Sequence, residues 1–152
     1  MNCFDVSARL EVQGADKDHL ARVLEALHNE NVLPTWGEGQ TGAELTIAEI
    51  VAVIIGATSP QSECAATHYE AVTWLTDGDG APFGEYLAVV MSEEPHRIGV
   101  EEIVIASNAQ SATIRYSNGT SIIFRAAAGL KPFYNGCIIR GSLLAAIAQK
   151  FD

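Results

Sequence analysis

The chain has 152 residues, 48% hydrophobic and 18% charged, a balance that fits one globular domain and excludes a disordered chain. Its formal charge is −10 at pH 7, which opposes phosphate-rich partners at long range. A membrane span needs ~20 apolar residues, and runs such as Ile50 to Ile55 fall far short of that.

Residues 4–12 alternate, with Phe4, Val6, Ala8, Leu10 and Val12 on one side and Asp5, Ser7, Arg9 and Glu11 on the other. That period predicts a half-buried strand. Asp16 then caps a helix whose Leu20, Val23, Leu24 and Leu27 make one apolar stripe. Pro34, Gly37, Gly39 and Gly42 make the following stretch a loop. Thr46 and Glu49 have capping-box spacing, and Ile47, Ile50, Val51 and Ile54 recur at helical spacing. Residues 46–57 are therefore predicted to be helical despite their β-branched content. Ser59-Pro60 starts another helix, Ser as N-cap, carrying Ala65, Tyr69, Val72 and Leu75 to the stop at "TDGDG".

From about Glu85 the pattern turns to strand: "EYLAVVM", "EEIVIA", "ATIRY", "TSIIFRA" and "GCIIR", after which Ser142 caps a terminal helix. The hairpin at Asn118-Gly119 fits a three-residue loop of Ser117, Asn118 and Gly119, with the glycine left-handed. That register gathers Ala112, Ile114, Tyr116, Ile122 and Phe124 on one face. It places Arg115 and Arg125 together on the other. The expected architecture is α+β, a single domain over 1–152. Five or six mainly antiparallel strands carry helices on one face and leave the other at least partly exposed.

The three cysteines, Cys3, Cys64 and Cys137, are widely spaced and odd in number. They read as free thiols in a reducing compartment. With no basic and apolar leader at the N-terminus, the expected location is cytoplasmic. Charge is unevenly spread. No Lys or Arg lies between Val23 and His96, where there are twelve acids, whereas Arg115, Arg125, Lys131, Arg140 and Lys150 face only Asp152 after Ile103. Opposite charge in the two halves also allows self-association.

The spacing of Gly37, Gly39 and Gly42 is G-x-G-x-x-G. A dinucleotide site requires a strand before that motif and a helix directly after it. Here a helix precedes it, Glu38 and Glu44 would meet the anion, and no base is near, so no cofactor is expected. "DGDGAPFGE" begins like a calcium loop, but Pro82 takes the place of the required glycine and Ala88 that of the bidentate glutamate. Cys64 and His68 lie four apart, but no second spaced pair joins them as zinc ligands. They read as a buried thiol and a surface imidazole. There is no G-x-S-x-G elbow. Basic and aromatic residues interleave from Arg115 to Arg140, but with Tyr116 and Phe124 turned inward the arginines have no stacking partners for nucleic acid.

The favoured reading is a binding or inhibitory protein, immunity-protein-like, steered to a basic partner by its acidic surface. Its contact residues would be Trp36, Glu38, Glu63, Glu70, Asp77, Asp79 and Glu85. The alternative is a small-molecule-binding domain or enzyme with a pocket between sheet and helices. In it Arg115 or Arg125 would hold an anionic group, and Trp36 or Tyr86 would line the site.

Overall fold

A computed structural model of the chain describes residues 1–34, 43–126 and 136–148. The protein is α+β: the described residues form seven α-helices, one 3-10 turn and one four-stranded antiparallel sheet. Two stretches expected to be strands are helices, which accounts for the smaller sheet.

The first is α1, Cys3–Val12. Asn2 accepts from the Asp5 amide at 3.0 Å while Asp5 accepts from the Asn2 amide at 3.1 Å, a reciprocal capping box that starts the helix. Cys3, Val6, Ser7 and Leu10 are buried, a helical spacing, whereas Phe4 and Val12 of the apparent strand face are 57% and 82% exposed. The second is α5, Phe83–Ser92, whose Phe83, Leu87, Val90 and Met91 are buried at helical spacing. A strand read from Glu85 leaves out Phe83, which sets the phase.

Packing divides the chain into two compact units, Met1–Tyr69 and Glu70–Asp152. In the first, α1 packs on α2 (Lys17–Asn29) and α3 (Ile47–Ala57), which also touch each other. Asp16 caps α2 by accepting from the His19 amide at 2.7 Å, and the stripe Leu20, Val23, Leu24 and Leu27 is buried as the spacing predicts. Thr46 and Glu49 form the expected capping box at the start of α3. Every residue from Ile50 to Gly56 is buried, each large aliphatic contributing ~1.5–3 kcal/mol. A methyl on Gly56 would lie 3.1 Å from Leu27 and 3.2 Å from Val23, so its bare backbone is what lets α2 approach. Glu44 pairs with the Met1 amino group. Beyond α3, Ser59 does not cap a helix; its hydroxyl donates to the Gln61 carbonyl at 2.7 Å. The chain first makes a 3-10 turn, Ser62–Cys64, which packs on α2, and then enters α4, Ala65–Thr73.

In the second unit the strands are β1 (Val100–Ala106), β2 (Ser111–Tyr116), β3 (Ser121–Arg125) and β4 (Gly136–Arg140), in the order β3-β2-β1-β4. The β2–β3 hairpin has the expected three-residue loop. Ala112 faces Phe124, Ile114 faces Ile122, and Gly119 is left-handed at φ 85°. Ile103, Ile105, Ala112, Ile114, Phe124 and Ile139 are buried on the inner face. Phe83 and Tyr86 of α5 meet the Phe124 ring edge-on, with centroids 5.1 and 5.6 Å away. A short α6, Glu94–Arg97, packs on α5 and on α7 (Gly141–Ala148), and α7 also touches β1 and β4. That last helix begins at Gly141, directly from β4 and one residue before the expected cap. On the outer face Arg115, Ser121, Ile123, Arg125, Ile138 and Arg140 are exposed.

Candidate functional site

The buried stripe of α2 fixes which of its residues look outward. Arg22, Glu25, Ala26 and Asn29 recur at helical spacing away from that stripe, and Glu30 follows at the C-cap. The 3-10 turn, packed on the same helix, adds Ser62 and Glu63. Together they line an open groove of about 300 Å³ in the first unit. Its charge is three carboxylates against one guanidinium. Ser62 is buried and its hydroxyl donates to Glu63 Oε2 at 3.4 Å, while Glu25, Glu30 and Glu63 are exposed. Glu63 is the one residue of this groove that the sequence singled out as a contact. Glu25 and Glu30 carry the same signal, being acids on the polar face of a legible amphipathic helix, but the groove needs the turn at Ser62–Cys64 to close its second wall.

The remaining acidic contact residues are dispersed. Glu70 is exposed on α4, Glu85 is exposed on α5, and Asp77 and Asp79 sit in the turn between these helices. Asp77 Oδ1 accepts from the amides of Asp79 and Ala81, both at 2.9 Å, so this carboxylate holds the turn together. Thr76 exchanges both backbone hydrogen bonds with Arg125, at 3.1 and 2.8 Å, and so extends the sheet past β3. This brings Asp77 beside Arg125 in an open depression of about 320 Å³, also lined by Thr76, Gly78, Ile123 and Ala126.

Arg115 and Arg125 do share the outer face, but they are not together. Arg115 is opposite Ser121 and Arg125 opposite Ser111, so the two lie ~13 Å apart along the strands. Arg115 is ion-paired with Glu102. Tyr86 has its hydroxyl 3.0 Å from that of Tyr116, and burial together with this contact pushes the Tyr116 phenol above its ordinary pKa. Trp36 and Glu38, with the glycines at 37, 39 and 42, lie outside the described residues.

Cys64 and His68 exchange the places expected for them: the thiol is exposed and the imidazole is buried. The 3-10 turn carries Cys64 outward, where Sγ meets the Gln61 side-chain oxygen at 3.6 Å, while His68 finds the Thr58 hydroxyl inside. Burial, and then the charge of Glu49, push the Cys3 thiol up to about 11, and partial burial raises Cys137. Neither has the lowered pKa of a working nucleophile. Among the described residues no three His, Cys, Asp or Glu side chains converge as metal ligands, and no helix is long and apolar enough to cross a membrane. Comparison with protein families, curated proteins and solved structures finds no match to this chain.

Proposed function

We propose that the protein is a binding or inhibitory protein that receives a basic surface of a partner protein in the groove between α2 and the 3-10 turn. The observation that carries this reading is the convergence of Glu25, Glu30 and Glu63 on one groove, with Arg22 as its single base. From Val23 to Tyr69 the first unit carries no further Lys or Arg in sequence. A lysine or arginine side chain entering the groove meets three exposed carboxylates that have lost little hydration. Such charges act mainly on the encounter rate and on the choice of partner. Exposed free thiols at Cys64 and Cys137 fit work in a reducing compartment such as the cytoplasm. Glu70, Asp79 and Glu85 belong to the second unit and do not line the groove.

The test is capture from native lysate at low salt, followed by association kinetics with the captured partner. Replacing Glu25, Glu30 and Glu63 together by glutamine should slow association about tenfold at low ionic strength and flatten its salt dependence. An unchanged rate and salt slope would remove the groove from the interface.

A second reading rests on Arg125. No ion-pair partner for its guanidinium is seen among the described residues, and it borders the depression of about 320 Å³ with Thr76 and Asp77. A small anionic ligand held there would raise thermal stability in the wild type and leave Arg125→Gln unaffected.

A further inference from the structure

Strand pairing puts four outward side chains in one line across the sheet: Ile138 on β4, Val104 on β1, Thr113 on β2 and Ile123 on β3. The two ends of this line are isoleucines on edge strands, 55% and 45% exposed. With ~4.8 Å between strands the line is ~14 Å long. It is one residue wide. On one side runs the row Arg140, Glu102, Arg115 and Ser121, in which one carboxylate lies between two guanidiniums on neighbouring strands and pairs with Arg115. On the other side stands Arg125, whose neighbour Asp77 is already engaged by two backbone amides. The outer face is thus a largely apolar stripe, interrupted by the Thr113 hydroxyl, with Arg140 and Arg115 on one flank and Arg125 at the β3 end of the other, in a protein whose net charge is −10.

The geometry points to a docking surface for an acidic amphipathic helix from another protein, lying across the strands. Three turns of helix, ~16 Å, match the length of the stripe. The narrow apolar face of such a helix, flanked by carboxylates, complements an apolar line bordered by guanidiniums. An extended segment would send alternate side chains away from the sheet and offer no charged flanks. The stripe and its borders cover ~250 Å², from strand spacing and rise. A folded partner or second copy needs ~800 Å² per side, so a short segment fits where a flat dimer does not. The net negative charge opposes approach from afar, but at physiological salt the field is screened beyond ~8 Å and the local arginines decide. This surface is independent of the acidic groove, and its partner has the opposite charge.

The probe is a fluorescein-labelled, 18-residue helical peptide with leucines at i, i+4 and i+8 and glutamates flanking them, read by fluorescence anisotropy. A second peptide carries lysine in place of every glutamate. The glutamate peptide is expected to bind saturably, about tenfold more tightly than the lysine peptide. Ile123→Asp with Ile138→Asp should weaken it about tenfold or more, and Arg125→Glu should weaken it several-fold. Glu25→Gln with Glu30→Gln and Glu63→Gln should leave it within about twofold, which separates this surface from the groove. Both isoleucines are exposed, so the double variant keeps its fold, as an unchanged circular dichroism melt would verify. Three results overturn the proposal: no saturable binding, equal binding of the lysine peptide, or binding indifferent to Ile123→Asp and Ile138→Asp. A concentration-dependent dimer abolished by those substitutions would also overturn it, by assigning the face to a second copy.

Discussion

The Thr58 hydroxyl lies 3.0 Å from Nε2 of His68, with both side chains buried. That hydroxyl donates its only proton to the Ile55 carbonyl at 2.6 Å. The imidazole is therefore the donor to Thr58 through Nε2. Burial holds its pKa below the ordinary 6.5, so the ring is neutral in the folded protein near pH 7. In the unfolded chain it takes a proton as pH falls through 6.5. The unfolded state then binds more protons, and stability falls with pH until the folded ring titrates as well. Urea denaturation at pH 7.5 and 5.5 should show a loss in wild type that His68→Gln reduces, the histidine contributing at most ~1.4 kcal/mol per pH unit. An identical pH slope in the variant would mean that the ring titrates in the fold as it does in the unfolded chain.

Gly141 joins β4 directly to α7, and a methyl added there would overlap the Val100 carbonyl. Backbone on the neighbouring strand cannot swing aside as a long side chain can. Gly141→Ala should therefore cost about 3 kcal/mol. Gly78 is the comparison, since a methyl there meets nothing within 4 Å. Gly78→Ala should stay within ~0.5 kcal/mol of wild type in the same denaturation experiment. Equal effects would show that the start of α7 yields to accommodate the methyl.

The difference between α3 and α5 shows what could be read from sequence. At 46–57 the Thr46–Glu49 box and the spacing of Ile47, Ile50, Val51 and Ile54 agree, and the helix is there. At 85–91 the short run "EYLAVVM" has the same look in either state, and only Phe83, outside the run, fixes the helical phase. In α1, Val6 and Leu10 belong equally to a period of two and to an i,i+4 pair, and Asn2–Asp5 decides between them. Hairpin register was legible because Gly119 and the alternation on β2 and β3 leave one clean solution. The separation of Arg115 from Arg125 follows from that same register, through the partners Ser121 and Ser111. The acidic groove was half legible: α2 showed which acids point outward, but the turn at Ser62–Cys64 that brings Glu63 to them carries no periodic signal. His68 could not be placed, because one histidine on a helix says nothing about which side meets a hydroxyl.

Thr46 joins the two halves of its capping box. Its amide donates to Glu49 Oε2 at 2.6 Å, its hydroxyl donates to the same oxygen at 2.8 Å, and the hydroxyl oxygen accepts from the Glu49 amide at 3.3 Å. Thr46→Ala removes the hydroxyl from both of its contacts and should cost ~1 kcal/mol in a urea titration. Thr46→Ser keeps the same oxygen and should recover most of that loss. A large effect of Thr46→Ser would point to packing of the threonine methyl instead.

Tyr86 and Tyr116 hold each other's hydroxyls at 3.0 Å while the Tyr86 ring meets Phe124 edge-on. Replacing either tyrosine by phenylalanine keeps the ring contacts and leaves the other hydroxyl in a poorly hydrated place, at ~1 kcal/mol. Removing both hydroxyls leaves nothing unpaired, so the double variant should be less destabilised than the two single variants added together. The same contact helps raise the Tyr116 phenol. Tyr86→Phe should therefore move Tyr116 ionisation to lower pH in an ultraviolet absorbance titration. Burial, the larger cause, should keep that ionisation above the ordinary tyrosine value of 10.0. Additive stabilities together with an unmoved titration would mean that the two hydroxyls are joined only in geometry and exchange no energy.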